Sequence, residues 1–147
     1  MIHVSGAQLL EALEAACQNV GYEGEIGAFP QVAGIEMTVN ATVPYERGEL
    51  YPDSTYASPA APGARVTIHT VGGADFDEDE VYAIVVPDFM AQGGETYYQF
   101  RVASEKEAPI ALSFDYEALV GYLIGPLDHE VPERYREPQG RITIIKE

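Results

Sequence analysis

The sequence has few of the features on which several large classes of proteins depend. It contains a single cysteine, Cys17, so no disulfide can form within the chain. It has 8 basic residues against 24 acidic ones and a net charge of −16, which disfavours binding to nucleic acid and to anionic membranes. No apolar run reaches the roughly 18 residues that a membrane-spanning helix needs. The acidity fits simple solubility as well as adaptation to high salt, and composition leaves both open.

The length and composition are typical of one globular domain. The chain has 147 residues, of which 46% are hydrophobic, so we expect a single domain over residues 1–147 with a packed core. The first residues lead directly into sequence typical of a folded domain, without a signal peptide. We therefore expect a soluble chain with no export signal of its own, and its compartment stays unknown. Cys17 lies among apolar residues, which favours a buried, inert thiol over a nucleophile.

Two segments predict helices. Ser5 and Gln8 have the spacing of a capping box, and Gly21 suits the end of the helix that follows. Glu11 and Glu14 are expected on its outer face, opposite an apolar stripe formed by Leu9, Leu10, Leu13, Ala16, Cys17 and Val20. A second helix is predicted to begin at Ser113 or Asp115 and to end at Gly125-Pro126, with Leu119, Val120, Leu123 and Ile124 as its apolar residues.

The remaining apolar segments predict a sheet. Five of them have strand-like patterns: 35–39, 66–69, 81–86, 97–102 and 141–145. Residues 81–86 are uniformly apolar, which favours a central strand. Residues 40–64 contain Pro and Tyr at intervals and predict a long, functional or mobile loop. The expected fold class is α+β (mixed α/β), with two main helices packed on a mixed β-sheet.

Motifs for catalysis are missing from the sequence. His3, His69 and His129 are far apart, and none has a second metal ligand at helical or loop spacing. The acidic run 75–80 lacks the glycine and the final carboxylate that a calcium loop requires, so we interpret it as a solvated turn. There is no nucleophile elbow and no phosphate loop. We predict no catalytic residue, metal ligand or cofactor in this chain.

Two glycine-flanked loops carry aromatic residues. Phe29 lies within residues 27–34, and Tyr97 follows Gly93-Gly94-Glu95-Thr96. Rings exposed by such turns can stack on a planar ligand, and each base stack contributes about 1–3 kcal/mol. The alternative is that both rings cover the edge of the core, and the residues alone favour that alternative.

Four segments resemble a known family. In its order of segments, the chain resembles the C-terminal domain of the 5'-nucleotidase / UDP-sugar hydrolase family over nearly its whole length. The segments are "VSGAQLLEALE", "GAFPQVAGIEMTV", "VYAIVVPDFMAQGGETYYQF" and "GRITI". In that family a separate N-terminal metallophosphatase domain holds two divalent metal ions. The C-terminal domain supplies substrate specificity by holding the nucleotide base between two aromatic rings.

The resemblance implies site residues. The two rings correspond to Phe29 and Tyr97, and the neighbouring Gly93, Gly94 and Glu95 join them as substrate-binding residues. We expect the two rings to be exposed together on one face of the fold. Thr96 stands where the family has a glycine, and a β-branched residue disfavours positive φ, so the turn is expected to differ.

Two functions follow from the resemblance. The first is a nucleotide- or nucleoside-recognition domain of a 5'-nucleotidase-type metallophosphohydrolase, not catalytic alone, which binds the base weakly and works beside a catalytic domain. The second is a stand-alone structural or protein-interaction module, because the family's first segment and its arginines are missing from this sequence. A homo-oligomer is then expected, through the surface which that segment covers in the family. Family members are often exported.

Overall fold

The mixed sheet and α1 organise the chain in the computed structural model, which describes residues 1–23 and 27–147. The helices of these residues are α1 (Gly6–Ala16), α2 (Asp88–Ala91), α3 (Tyr98–Lys106) and α4 (Asp115–Ile124), with a 3-10 turn at Glu133–Tyr135. The strands are β1 (Ile2–Ser5), β2 (Ile35–Asn40), β3 (Arg47–Leu50), β4 (Ala57–Pro59), β5 (Val66–Val71), β6 (Ala74–Asp75), β7 (Val81–Ile84) and β8 (Ile142–Ile145). The predicted α+β class is confirmed.

The largest sheet has four strands in the order β6-β5-β2-β8. Strand β5 is antiparallel to β2, whereas β8 is parallel to it, so the sheet is mixed as predicted. Met37 of β2 lies opposite Ile68 on one side and Ile142 on the other, and this row faces the core. Strands β1 and β7 form a separate antiparallel pair.

Helix α1 forms the centre of the core. Ser5 caps it through the predicted capping box, because its hydroxyl accepts from the Gln8 amide while the Gln8 side chain accepts from the Ser5 amide. The predicted apolar stripe is buried from Leu9 to Val20. Cys17 is buried as predicted, and burial together with the Glu14 carboxylate raises the pKa of its thiol to about 12. A thiol in that state is a poor nucleophile at neutral pH.

The prediction that Glu14 lies on the outer face of α1 is wrong. Glu14 is only 1% exposed, and its Oε2 accepts from the backbone amides of Arg65 and Val66 at 3.2 and 2.8 Å. Arg65, itself buried, donates to the carbonyls of Cys17, Gln18 and Val20 at the end of α1. These bonds satisfy carbonyl groups that a helix end leaves without partners. These hydrogen bonds compensate the burial of both charged groups, and the Arg65 Nε is the one atom of the guanidinium without a partner in the described structure.

Of residues 97–102, predicted as a strand, residues 98–102 belong to helix α3 and Tyr97 directly precedes it. Their aromatic and β-branched composition favours a strand, but Tyr97, Phe100 and Ala103 are buried at a spacing of three residues, which fits one face of α3. Strand β7 is not central, because among the described residues it pairs with β1 alone, and Val81 and Val85 are exposed. Tertiary packing overrides local propensity in both segments.

Residues 40–64 contain more structure than the predicted loop. Strands β3 and β4 pair within this segment, and Tyr51 between them is buried. The Tyr51 ring stacks on Tyr98 of α3 at 4.3 Å between centroids, and its hydroxyl donates to Glu11 of α1 at 2.7 Å. Burial and this bond raise the pKa of Tyr51. The segment is therefore fastened to two helices.

Helix α4 has the predicted position but not the predicted packing. It begins at Asp115 and ends before Gly125, yet it buries none of its residues. The second helix that packs on the core is α3, which buries Phe100 and Ala103.

The acidic run 75–80 forms the predicted exposed turn between β6 and β7, where Asp77 Oδ1 accepts from the Asp79 amide. In the described part of the chain, no helix is long and apolar enough to cross a membrane.

The network around Glu14 makes a stability prediction. The substitution Glu14→Ala leaves the buried amides of Arg65 and Val66 without an acceptor, so we expect the free energy of unfolding to fall by about 2–5 kcal/mol. Chemical denaturation measures it. The control Glu49→Ala, at an exposed position of β3, should change stability by less than about 0.5 kcal/mol. Equal effects of the two substitutions would contradict the structural role of Glu14.

Candidate functional site

A single large cleft stands out among the described residues. Its volume is about 790 Å³, within the range of about 300–1,000 Å³ typical of small-molecule sites. One wall is the segment 27–35, and the opposite wall is formed by residues 83–87 with Phe89 and Met90 of α2. Buried side chains of α1 and α3 form the floor, with Leu13 and Phe100 among them. The lining is therefore predominantly apolar.

The structure brings Phe29 and Tyr97 to the same cleft, but in different states. Phe29 is half-buried on the wall. Tyr97 is only 4% exposed, and its ring lies against that of Phe100 at 5.2 Å between centroids. The prediction that both rings are exposed is therefore wrong for Tyr97, which lacks the free face that a base platform needs.

Tyr97 instead fastens the cleft wall to α3. Its hydroxyl donates to the carbonyl of Ala28 at 2.7 Å, next to Phe29. Burial, together with nearby Cys17 and Glu95, raises the pKa of Tyr97, so the hydroxyl keeps its proton and remains a donor. This bond joins residues that are 69 positions apart. The position of Phe29 thus depends on Tyr97.

Phe89 is the aromatic residue that sequence reasoning missed. It lies on α2, lines the cleft and is 62% exposed, so its ring has a free face. The ring rests on Gly94, where an added Cβ would come within 2.4 Å of two ring atoms, so a larger residue there would have to displace the ring. The Gly94 amide also donates to the Phe89 carbonyl at 2.9 Å. A signal was present in the sequence, since Phe89 precedes the Gly-Gly pair by one helical turn.

The predicted glycines shape the turn and do not line the cleft. Gly93 has φ of 82°, and a Cβ there would approach the Cβ of Arg101 to 2.8 Å. Glu95 has φ of 54° and lines the cleft directly. Thr96 is not among the described residues with positive φ, so its β-branched side chain does not meet the backbone conformation that it disfavours. It is buried, and its Oγ1 has no hydrogen-bond partner within the described structure.

The arrangement can hold a planar, apolar ligand. An aromatic ring with a free face, a second half-buried ring and one carboxylate lie around an apolar cleft. Within residues 1–23 and 27–147 there is no group of three or more His, Cys, Asp or Glu side chains that would hold a metal ion.

Comparison with known proteins places this chain in a family. The family profile of the 5'-nucleotidase, C-terminal domain matches residues 1–102. The chain belongs to this family. The predicted resemblance is thereby confirmed over the segment that contains Phe29, Phe89 and the Gly-Gly turn.

Relatives of this domain occur within much longer proteins. The trifunctional nucleotide phosphoesterase protein YfkN of Bacillus subtilis (strain 168) is 36% identical over 104 residues, which are 71% of this chain and 6% of that protein. A 5'-nucleotidase precursor from Thermus thermophilus has the same fold at 24% identity with a TM-score of 0.64, over 99% of this chain and 25% of that one. A similar fold occurs in a protein described as a 5'-nucleotidase from Staphylococcus aureus, which was solved with alpha-ketoglutarate. The match has a TM-score of 0.61 at 19% identity and covers 99% of this chain and 26% of that one.

The role of Tyr97 as a fastening residue is testable. We expect Tyr97→Phe to lower the free energy of unfolding by about 1 kcal/mol, because the bond to the Ala28 carbonyl is lost while the ring stays packed. The control is Tyr98→Phe, whose ring keeps its stack on Tyr51. Urea titration of both variants compares them, and an unchanged stability of Tyr97→Phe would show that the bond contributes nothing.

Proposed function

We propose that this domain recognises the nucleoside part of a nucleotide for a 5'-nucleotidase-type metallophosphohydrolase and is not catalytic alone. The observation that carries the proposal is the placement of Phe29 and Phe89 around one apolar cleft, with Glu95 at its lining. Purine and pyrimidine rings are planar and apolar on both faces, so they stack on aromatic side chains. The hydrolysis step is assigned to a separate domain that carries the metal ions.

Glu95 has a distinct role in this proposal. An ionised carboxylate accepts hydrogen bonds only, and a ribose presents two neighbouring hydroxyl donors. A base seated between the rings would bring its ribose toward the edge of the cleft, where Glu95 accepts from those hydroxyls. The positive φ of Glu95 and the Gly93 turn before it hold this carboxylate in place.

The affinity expected of this site is low. Two ring contacts contribute on the order of 2–6 kcal/mol before costs, and association takes back several kcal/mol. The chain alone is therefore expected to bind adenosine with a dissociation constant on the order of 1 mM.

Stacking makes a direct prediction. We expect Phe29→Ala and Phe89→Ala each to weaken adenosine binding by about 5- to 150-fold, because each removes one ring face worth about 1–3 kcal/mol. NMR chemical-shift titration suits the weak affinity. The control Tyr116→Ala removes an exposed ring outside the cleft and should leave binding unchanged. If wild-type protein shows no shift with adenosine, the recognition function is wrong.

The alternative function, a protein-interaction module, is supported by α4. Isolated helices shorter than about 12–15 residues are marginal in water, yet α4 has 10 residues and buries none of them. Tyr116, Val120 and Ile124 follow one another at helical spacing and are exposed. The segment 40–64 packs against α1 and α3 instead, so it does not supply the cover that α4 needs.

A second copy of the chain is the partner we propose for this surface. Eight large apolar side chains between residues 110 and 124 are 42–67% exposed, and together they offer roughly 600–800 Å², close to the ~800 Å² that each partner buries in a standard interface. Residues 108–147 also hold four of the eight basic residues and only seven of the 24 acidic ones. Two copies with a net charge of −16 repel each other least where they meet through this part of the surface.

Self-association through α4 predicts a dimer. Light scattering over a range of concentrations should give twice the monomer mass of 16.0 kDa. We expect Leu119→Glu to return the protein to a monomer, because it places a charge in the proposed interface. The control Ala60→Glu, at an exposed position of the 40–64 segment, should remain a dimer. A wild-type monomer at every concentration would rule this interface out.

A further inference from the structure

The cleft has an unusual charge balance for a site that receives nucleotides. Among its described lining residues, Glu95 is the single charged side chain, and Gln31 is a neutral polar one. The remaining lining consists of glycine, proline, aliphatic and aromatic residues, with Tyr97 held neutral by burial. The neighbouring residues 24–26 have the sequence Gly-Glu-Ile and contribute no basic group. No described wall of the cleft carries a positive charge.

Three of the arginines are engaged away from the cleft. Arg65 is buried and donates to three carbonyls at the end of α1. Arg101 lies behind the Gly-Gly turn, where its Nε donates to Glu105 at 2.8 Å and its guanidinium covers the Tyr98 ring at 5.3 Å from the centroid. Arg47 donates to the Thr55 carbonyl in the 40–64 segment. None of these three side chains lines the cleft.

The start of α3 is the backbone feature near the cleft that could favour an anion, and a carboxylate lies beside it. The amides of Tyr97 and Phe100 at the start of α3 donate to the carbonyls of Gly94 and Tyr97. Glu95, two residues before Tyr97, places a negative charge near that helix end, where an anionic ligand would otherwise be stabilised. A phosphate group at this end of the cleft is repelled by the Glu95 carboxylate and by the net charge of −16 on the chain.

We infer that the cleft is selective for the uncharged nucleoside and gains no binding energy from phosphate. This inference rests on the proposed function and deepens it. The base stacks on Phe29 and Phe89, the ribose hydroxyls donate to Glu95, and the phosphate projects away from the chain. The isolated domain therefore binds a nucleoside more tightly than its 5'-phosphates, and tight holding of the phosphate belongs to the separate domain that hydrolyses it.

Comparison of three ligands at two salt concentrations tests this order. The full chain is titrated with adenosine, AMP and ADP at about 20 mM and about 0.5 M sodium chloride. We expect adenosine to bind about 3- to 10-fold more tightly than AMP at low salt, and the two to agree within about twofold at high salt, because salt screens the repulsion of a phosphate that carries about two negative charges. ADP should be weaker still at low salt, and adenosine should be insensitive to salt.

The outcomes separate this inference from the function on which it rests. If adenosine binds and AMP binds more tightly at low salt, or more than about twofold more tightly at high salt, the selectivity is wrong while recognition of nucleosides stands. An adenosine-to-AMP ratio that does not change with salt overturns the electrostatic reason for the selectivity. If none of the three ligands binds, the proposed function itself fails.

A charge-matched pair of variants locates the repulsion. Glu95→Gln removes the carboxylate from the cleft and should reduce the low-salt preference for adenosine over AMP by about two- to threefold. Asp88→Asn changes the net charge by the same amount at an exposed position of α2 that does not line the cleft. We expect this control to retain the wild-type preference. Equal effects of both variants would assign the selectivity to net charge and overturn the role of Glu95.

Discussion

The buried carboxylate of Glu14 is the constraint on which the rest of this structure depends. It accepts from two consecutive amides at the start of β5, while Arg65 from the same point satisfies three carbonyls at the end of α1. These hydrogen bonds hold the end of α1 against the start of β5 in the mixed sheet. Loss of the Glu14 carboxylate leaves two buried amides without an acceptor, and loss of the Arg65 guanidinium leaves three carbonyls without their donor. The cleft forms where α1, held in this way, meets the loop that leads into β2.

The cleft is built from a turn and a fastened loop. Gly94 allows the ring of Phe89 to lie directly on the backbone, and Tyr97 binds the carbonyl of Ala28 next to Phe29. The segment 89–97 thus supplies one ring of the cleft, Phe89. Through the Tyr97 hydrogen bond it also holds the wall that carries the other ring, Phe29. This explains why two tyrosines follow the Gly-Gly pair: Tyr97 fills the core and holds the opposite wall, while Tyr98 stacks on Tyr51.

Charge and apolar surface are divided between different parts of the molecule. The cleft contains a carboxylate without a described cation, whereas residues 108–147 combine half of the basic residues with an exposed apolar helix. Belonging to the 5'-nucleotidase C-terminal domain family agrees with both features, since its relatives are several times longer than this chain. In the proposed function, this domain leaves the phosphate accessible to other parts of such a protein.

The sequence by itself determined the fold class, the capped helix α1, the buried thiol, the position of α4 and the family. These depend on local periodicity, capping chemistry and motif order, which are determined by residues close to one another in the sequence. Tertiary structure alone decided that Glu14 is buried, that residues 98–106 form a helix and that Phe89 presents the exposed ring while Tyr97 does not. Each of these depends on a partner that is distant in the chain or on the packing of the core, such as Arg65 for Glu14 and Ala28 for Tyr97. The local sequence pattern does not specify which distant residues a side chain contacts in the folded protein.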